Sequence, residues 1–411
     1  MKHMRGIRFG KCAALLLAVM MLLSSGCAAA EKTVLLSFTG DVTLGGKDEG
    51  RNRSTSFESY AAEKGYDYFF ANFREMFEND DQTVINLEGV LSTSASDERK
   101  KTHTFWGDPA LAEILPRSGI DAAGITNNHI KDFGAQGIRN TKQALEKNGI
   151  AWFQDFTYYI FEKDGIKVAF FALQNSILYS KSKQLYSKIQ ELREKKGVGA
   201  VVACWHTGTE YKRKHNKDTE TRVKSLVENG VDLVIINHPH VTQGMSIFNN
   251  RSIFYSLGNF VFGGNPNIRA GKNSKDPLAI SLYSLVVQAR LTFSNEGKYL
   301  GQQVTVYPVY SSGANPDYQV GDKPYPENNY QPIRLTLKQA APVYECFTKD
   351  TAGTVPEMTE NDGYAEIVFP YIPAFDGVMI PEGGDYDDGM IGLPEASSPK
   401  LTREGKNSAG N

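Results

Sequence analysis

Two rhythms of apolar residues alternate along the chain. One is short and continuous: residues 34–39, 83–85, 121–126, 200–206 and 231–241 hold compact, largely β-branched runs, and the last two follow Gly199 and Gly230. Runs of this length between turn residues predict strands buried on both faces, as in a parallel sheet. The other rhythm has helical spacing. It occupies residues 69–79 (apolar at Phe69, Phe70, Phe73, Met76 and Phe77), 110–117 behind an Asp108 cap and Pro109, 134–148 closed by Gly149, 182–196 and 218–229. Such alternation predicts an α/β core with a largely parallel or mixed sheet. A hairpin is expected where 158–161 and 168–172 flank Lys163-Asp164-Gly165. Beyond Phe262, residues 278–293 and 302–310 read as long antiparallel strands completing a second sheet. From about Pro342 the chain is rich in Gly, Pro and acidic residues, which predicts an extension with a poorly ordered tail over 381–411.

The N-terminus follows neither rhythm. Lys2, Arg5, Arg8 and Lys11 precede an apolar run over 12–23, then Ser24-Ser25-Gly26-Cys27 and three alanines. This is the pattern of a secretory signal, too short for a comfortable membrane span. Gly26-Cys27 resembles a bacterial lipobox, with Ser24 in place of leucine three residues before the cysteine. It predicts a lipid on Cys27 that holds the protein on the outer face of the cell membrane; the alternative is cleavage after Ala30 and secretion. The expected plan is a signal over 1–26, a tether over 27–33, one domain over 34–340 and an extension over 341–411. Without residues 1–26 the chain holds 41 basic and 47 acidic residues, a net charge of −6. A mildly acidic exported domain argues against nucleic acid as a partner. Of the two cysteines left after Cys27, Cys204 lies in an apolar strand and reads as a packed thiol rather than half of a disulfide, although export permits pairing with Cys346; redox chemistry is not indicated.

Polar residues gather just past the strand ends. Asp41, Asn86 with Glu88, Asn128 with His129, His206, and His238 with His240 each follow a predicted strand. That edge of an α/β sheet is where loops converge on ligands. Mixed nitrogen and oxygen donors suit one or two divalent transition metals, Zn, Mn or Fe, better than Ca or Mg, which favour all-oxygen shells. His238 and His240 are two apart, and Pro239 favours an extended His238, so both imidazoles are expected on one face. Four of the six histidines outside the signal belong to this set; His103 and His215 do not.

The stretches Gly40-Asp41-Val42-Thr43-Leu44-Gly45, Asn86-Leu87-Glu88-Gly89, Asn127-Asn128-His129 with Asp132 and Gly134, His206 with Gly208 and Glu210-Tyr211, His238-Pro239-His240-Val241 and Tyr255-Ser256-Leu257-Gly258-Asn259-Phe260 run in one order from Val34 to Phe262. In this the chain resembles the CapA family, the PGA_cap proteins of bacterial poly-γ-glutamate capsule synthesis, whose domain is similar to calcineurin-type metallophosphoesterases. The resemblance implies a sandwich of two mixed sheets flanked by helices. It implies that Asp41 and His240 serve one metal, that Asn128, His206 and His238 serve another, that Glu88 stands near a bridging carboxylate, and that His129 protonates a leaving group. Thr43 stands where phosphoesterases carry a histidine, so the first position lacks that second imidazole. Glu210 reads either as an acid that orients an imidazole or accepts a proton, or as a solvated loop residue. The run Lys212-Arg213-Lys214-His215 reads either as a hold for an anionic substrate or as a solvated loop.

Two functions follow as expectations. One is a metal-dependent hydrolase of the envelope, acting on a phosphoester or peptide-like bond with His129 as proton donor and Glu210 in support. The other is a non-catalytic accessory protein that binds, anchors or helps export an anionic polymer such as poly-γ-glutamate, together with membrane proteins of capsule synthesis.

Overall fold

The computed structural model describes residues 31–47, 51–93, 101–265, 268, 276–374 and 390–391. The expected signal, Cys27 and most of the 381–411 tail lie outside these residues. Two mixed sheets stack face to face with helices on both outer sides, as the alternation of strand and helix predicts. The first sheet runs in the order Thr359–Asn361, Tyr364–Val368, Tyr299–Tyr310, Tyr283–Phe293, Lys32–Phe38, Gln82–Asn86, Ala122–Gly124 and Ala151–Phe153. The second runs Met390–Ile391, Met245–Phe248, Arg251–Phe254, Leu233–Asn237, Ala200–His206, Ile166–Gln174 and Tyr159–Lys163. Each holds a block of parallel strands, from Lys32–Phe38 to Ala151–Phe153 at one end of the first and from Ile166–Gln174 to Arg251–Phe254 in the middle of the second.

Side-chain alternation sorts residues between layers. Ala200 and Val202 enter the central core with Val34, Leu36 and Phe38 from the opposite sheet. Their neighbours Val201, Ala203 and Trp205 point outward onto Leu185, Ile189 and Leu192 of helix Ser182–Lys196 and Val223 and Leu226 of helix Lys217–Glu228. On the other side Val84 faces inward, while Ile85 packs with Phe57 and Leu145 of the outer helices Phe57–Lys64 and Gly134–Lys147. A period of two thus serves both faces of each sheet. Each fully buried Leu, Ile or Phe contributes about 1.5–3 kcal/mol, so the two-faced strands are the stiffest part of the fold.

Three expectations change. The antiparallel pair Tyr283–Phe293 and Tyr299–Tyr310 extends the first sheet, with Phe38 opposite Val287, rather than completing a separate one. The Phe-rich stretch 69–79 is helical only over Arg74–Glu78; Phe77 is buried from this helix, and Phe69, Phe70 and Phe73 are buried from turns. Ordered structure also runs past residue 340. Helix Leu337–Lys349 starts at a capping box of Thr336 and Gln339, and its Val343, Cys346 and Phe347 enter the central core. Tyr364–Val368 and Ile372–Pro373 then pair with Tyr299–Tyr310. Pro342 lies inside this helix and hides it from a reading of the sequence, because proline normally breaks a helix interior. Among the described residues, no helix is long and apolar enough to cross a membrane. Both Cys204 and Cys346 are free thiols.

Candidate metal centre

The parallel strands of the two sheets end beside each other, and their first loop residues meet. Asp41 starts the short strand Asp41–Thr43, which pairs with Asn259–Phe262. The approach requires glycine: a Cβ on Gly40 would lie 2.4 Å from the Gly258 carbonyl oxygen, and Gly258 itself adopts φ 74°. The Asp41 N–H donates to that carbonyl at 2.9 Å. Asn86, at the end of its strand, donates through Nδ2 to Asp41 Oδ1 at 2.7 Å and lies 3.2 Å from His206 Nδ1, tying the two sheets together at the site.

The histidine turn departs from expectation. The strand ends at Asn237, and His238 and His240 take φ 109° and 58° rather than the extended conformation. Non-glycine residues seldom adopt such angles, and they cluster at functional sites. The contacts that hold the turn are visible. The His238 N–H donates to Asp41 Oδ2 at 3.2 Å, and the Pro239 carbonyl accepts from the Tyr211 N–H at 2.8 Å. Both imidazoles therefore reach the cluster from a turn, not from one face of a strand.

Glu88 sits at the centre. It is fully buried, and neither carboxylate oxygen has a hydrogen-bond partner. Its Oε1 lies 3.6 Å from His206 Nε2, 3.8 Å from His129 Nε2 and 3.9 Å from His240 Nε2. Thr43 does not offer its hydroxyl to this space: Oγ1 donates to the Glu88 backbone carbonyl at 2.7 Å and so positions that residue. His206 Nε2 is also 2.7 Å from Asn128 Oδ1 and 3.1 Å from His238 Nδ1. Neighbouring donors on an ion bound at about 2.1 Å stand about 3 Å apart, so this crowding is what a coordination shell requires. Two groups of ligand atoms converge, Glu88 with His238 and His240, and Asp41 with Glu88 and His206. Glu88 belongs to both, which suits a bridging carboxylate, and His206 Nε2 stands beside both Asn128 Oδ1 and His238 Nδ1.

Electrostatics follow from burial. Burial pushes the Glu88 carboxyl well above the ordinary carboxylate range, and Asp41 adds to the rise. Burial and the neighbouring imidazoles hold His206 well below the usual histidine value, and burial with His240 brings His238 down to about 4. Burial also favours a neutral His240, but the facing carboxylates of Glu88 and Asp41 outweigh it and hold this imidazole well above the usual value. Neutral His206 and His238 are in the protonation state that a metal needs. An unpaired buried carboxylate facing imidazoles is costly by itself and is satisfied by a cation, so the donor set fits a divalent metal.

His129 stands at one wall. Its ring lies 4.2 Å from that of Phe105, and Nδ1 is 2.6 Å from Asp132 Oδ2. Asp132 is fixed in turn by Lys101 Nζ at 2.5 Å and the Phe105 N–H at 2.9 Å. Burial lowers the His129 imidazole against the opposing pull of Asp132. Glu210 lies exposed on the loop after His206 and joins neither ligand group, although Glu88 and His238 feel its charge.

A reading of the sequence leaves the supporting residues unassigned. Asn259 places Oδ1 2.9 Å from His240 Nδ1 and leaves Nε2 facing Glu88. Lys101, in a polar insertion, reaches Asp132 and the Asn128 carbonyl. Asp132 carried a signal in its position three residues after His129. Asn259 stands in the stretch 255–260 of the resemblance but with no role attached, and Lys101 carried no signal, because their partners lie far along the chain.

The fold and the cluster define an α/β sandwich with a histidine–carboxylate site at the strand ends. Residues 35–264, more than half of the chain, match the model of the bacterial capsule synthesis protein PGA_cap, and the chain belongs to that family. It is similar to a capsule biosynthesis protein CapA of Bacillus anthracis, 26% identical over 223 residues that cover 48% of this chain and 54% of the relative. It is also similar to a PGA biosynthesis protein CapA of Bacillus subtilis (strain 168), 26% identical over 249 residues, 55% of this chain and 62% of the relative. The chain thus spans little more than half the length of these relatives. Among solved structures, a hypothetical protein from Thermus thermophilus is 12% identical, covering 67% of this chain and 99% of its own at a TM-score of 0.40.

Proposed function

We propose that this capsule synthesis protein is exported, is held on the outer face of the cell membrane by a lipid on Cys27, and carries a metal-dependent hydrolase site. Glu88 carries the reading. A fully buried carboxylate without a hydrogen-bond partner, ringed by imidazole nitrogens, makes physical sense as a metal ligand. Asp41, Glu88, Asn128, His206, His238 and His240 would hold one or two divalent ions of Zn, Mn or Fe. Such an ion supplies Lewis acidity toward a phosphoester or acyl oxygen and makes water more acidic.

The chain's own residues do the rest. Asp132 fixes the His129 ring so that Nδ1–H donates to its carboxylate, which leaves Nε2 to accept a proton and return it to a leaving group. Phe105 covers one face of that ring and excludes water there. Candidate substrates are a phosphoester or the peptide-like bond of an anionic polymer such as poly-γ-glutamate, with capsule-synthesis membrane proteins as candidate partners. The test pairs elemental analysis with turnover of the purified chain. Turnover lost in His129→Ala with metal content retained supports the hydrolase. Absence of turnover in a fully metal-loaded wild type, with polymer binding intact, supports instead a non-catalytic accessory protein.

A further inference from the structure

Three rungs join the two loops that carry the histidines of the cluster. One loop, residues 207–216, follows His206 and leads into helix Lys217–Glu228; the other, residues 238–244, holds His238 and His240 and leads into strand Met245–Phe248. The first rung is the Tyr211 N–H on the Pro239 carbonyl at 2.8 Å, and the second is Gln243 Nε2 on the Lys212 carbonyl at 2.6 Å. The third comes from outside both loops. The carboxylate of Asp350 accepts from the His215 N–H at 3.2 Å and from the Gly244 N–H at 3.1 Å, and its Oδ2 lies 3.0 Å from His215 Nδ1.

Asp350 follows helix Leu337–Lys349, well beyond the residues 35–264 that match the capsule synthesis family. Its side chain is only 4% exposed, so a carboxylate taken out of water is satisfied by donors of the two histidine loops. The seat is shaped for this elbow of the chain. A Cβ on Gly244 would lie 2.2 Å from the Asp350 carbonyl carbon, an approach that only glycine admits. Thr351 Oγ1 accepts from the Met245 N–H at 3.1 Å, and the Ala352 N–H donates to the Met245 carbonyl at 2.9 Å. On the loop side the His215 ring stacks on Tyr255 at 3.7 Å, within 3° of parallel, and the Tyr255 N–H donates to the Gly244 carbonyl at 3.0 Å. Behind the elbow, Val343, Cys346 and Phe347 anchor the helix in the central core.

We propose that Asp350 is a positioning residue of the metal centre: it clasps the two histidine loops at their far ends, so that the C-terminal helix sets how tightly the centre holds its ion. The φ angles of His238 and His240 are ones that persist only where the surroundings over-determine them, and the three rungs do so. Loops held together in this way have less freedom to lose when their imidazoles close on an ion, and that saving appears as affinity. The effect on metal rests on the metal-centre reading; the clasp itself does not.

The test titrates Co(II), whose visible absorption reports both affinity and ligand geometry, into the full chain as wild type, Asp350→Ala, Gln243→Ala and Val343→Ala, and follows amide hydrogen exchange in the metal-free proteins. Val343→Ala loosens the same helix from within the core and leaves the three rungs in place. For Asp350→Ala we expect Co(II) binding weakened about tenfold, as for loss of an outer partner of a metal ligand, together with an altered absorption spectrum. Exchange should quicken over residues 207–212 and 238–241, which lie beyond the hydrogen bonds of Asp350. Gln243→Ala should move the same readouts in the same direction, and Val343→Ala should lower melting alone. Equal weakening in Val343→Ala, or unchanged exchange in both loops of Asp350→Ala, overturns the clasp. Faster exchange with unchanged Co(II) affinity and spectrum overturns its role in the centre. Should Asp350→Ala not fold, Asp350→Asn, which keeps the shape and removes the charge, carries the same comparison. Exchange that quickens in Asp350→Ala, in a protein that takes up no Co(II), upholds the clasp and refutes the metal centre.

Discussion

Replacing Glu88 with glutamine tests the metal centre through a change of sign. The amide keeps the shape of the side chain and removes its charge. In the metal-free protein, burial and Asp41 raise the Glu88 carboxyl above its ordinary value of 4.5. A group raised on folding stabilises below its unfolded value, and the contribution is lost as the pH rises through its folded value. By pH 7 the cost is at most that of keeping the carboxyl protonated, about 1.36 kcal/mol for each unit between 4.5 and 7, or about 3 kcal/mol. Metal-free Glu88→Gln is therefore expected to be as stable as the wild type or up to about 3 kcal/mol more stable, less what His240 loses with its partner. Metal reverses the order. An ion at a hundred times its dissociation constant stabilises the wild type by about 2.7 kcal/mol, or about 5 °C in Tm at about 2 °C per kcal/mol for a large domain. Losing a ligand that weakens binding about 100-fold leaves about 0.4 kcal/mol, less than about 1 °C. Differential scanning fluorimetry of both proteins, with EDTA and with Zn or Mn, reads all four states. A variant that melts lower without metal and keeps the full metal-dependent rise would show that Glu88 is an ordinary structural acid.

Three further predictions address neighbouring residues. His238 sits near 4, so its contribution is present above the ordinary 6.5 and disappears as the pH falls toward 4; the metal-free wild type should lose about 3 kcal/mol over that window, and His238→Gln should flatten this part of a urea-melt pH profile. Asp132→Asn should retain metal by elemental analysis while lowering turnover and shifting its pH profile, because the amide can no longer hold the His129 Nδ1 proton in place; an unchanged profile would make Asp132 a loop anchor only. Gly40→Ala should cost about 1–3 kcal/mol in chemical denaturation and lower metal content, because its Cβ would stand 2.4 Å from the Gly258 carbonyl oxygen and push Asp41 from its place.

Local pattern determined much of this protein. The runs at 200–206 and 231–241 announced strands because their residues are apolar on both faces, and the polar residues placed just past strand ends announced a site. Aspartate, glutamate, asparagine and histidine at those ends already defined its chemistry. Tertiary structure decided what depends on partners distant in the chain. The edge of Lys32–Phe38 is completed by Tyr283–Phe293, and hydrogen-bond pairing across some 250 residues leaves no periodic trace in either strand. Helix Leu337–Lys349 survives Pro342 because Val343, Cys346 and Phe347 are buried in the common core, a gain that a local reading cannot weigh. The turn with positive φ at His238 and His240 is held by hydrogen bonds to Asp41 and Tyr211, both distant in the chain. The orphaned state of Glu88 is likewise a property of its surroundings, since a carboxylate is unpaired only when folding has removed water and supplied no donor.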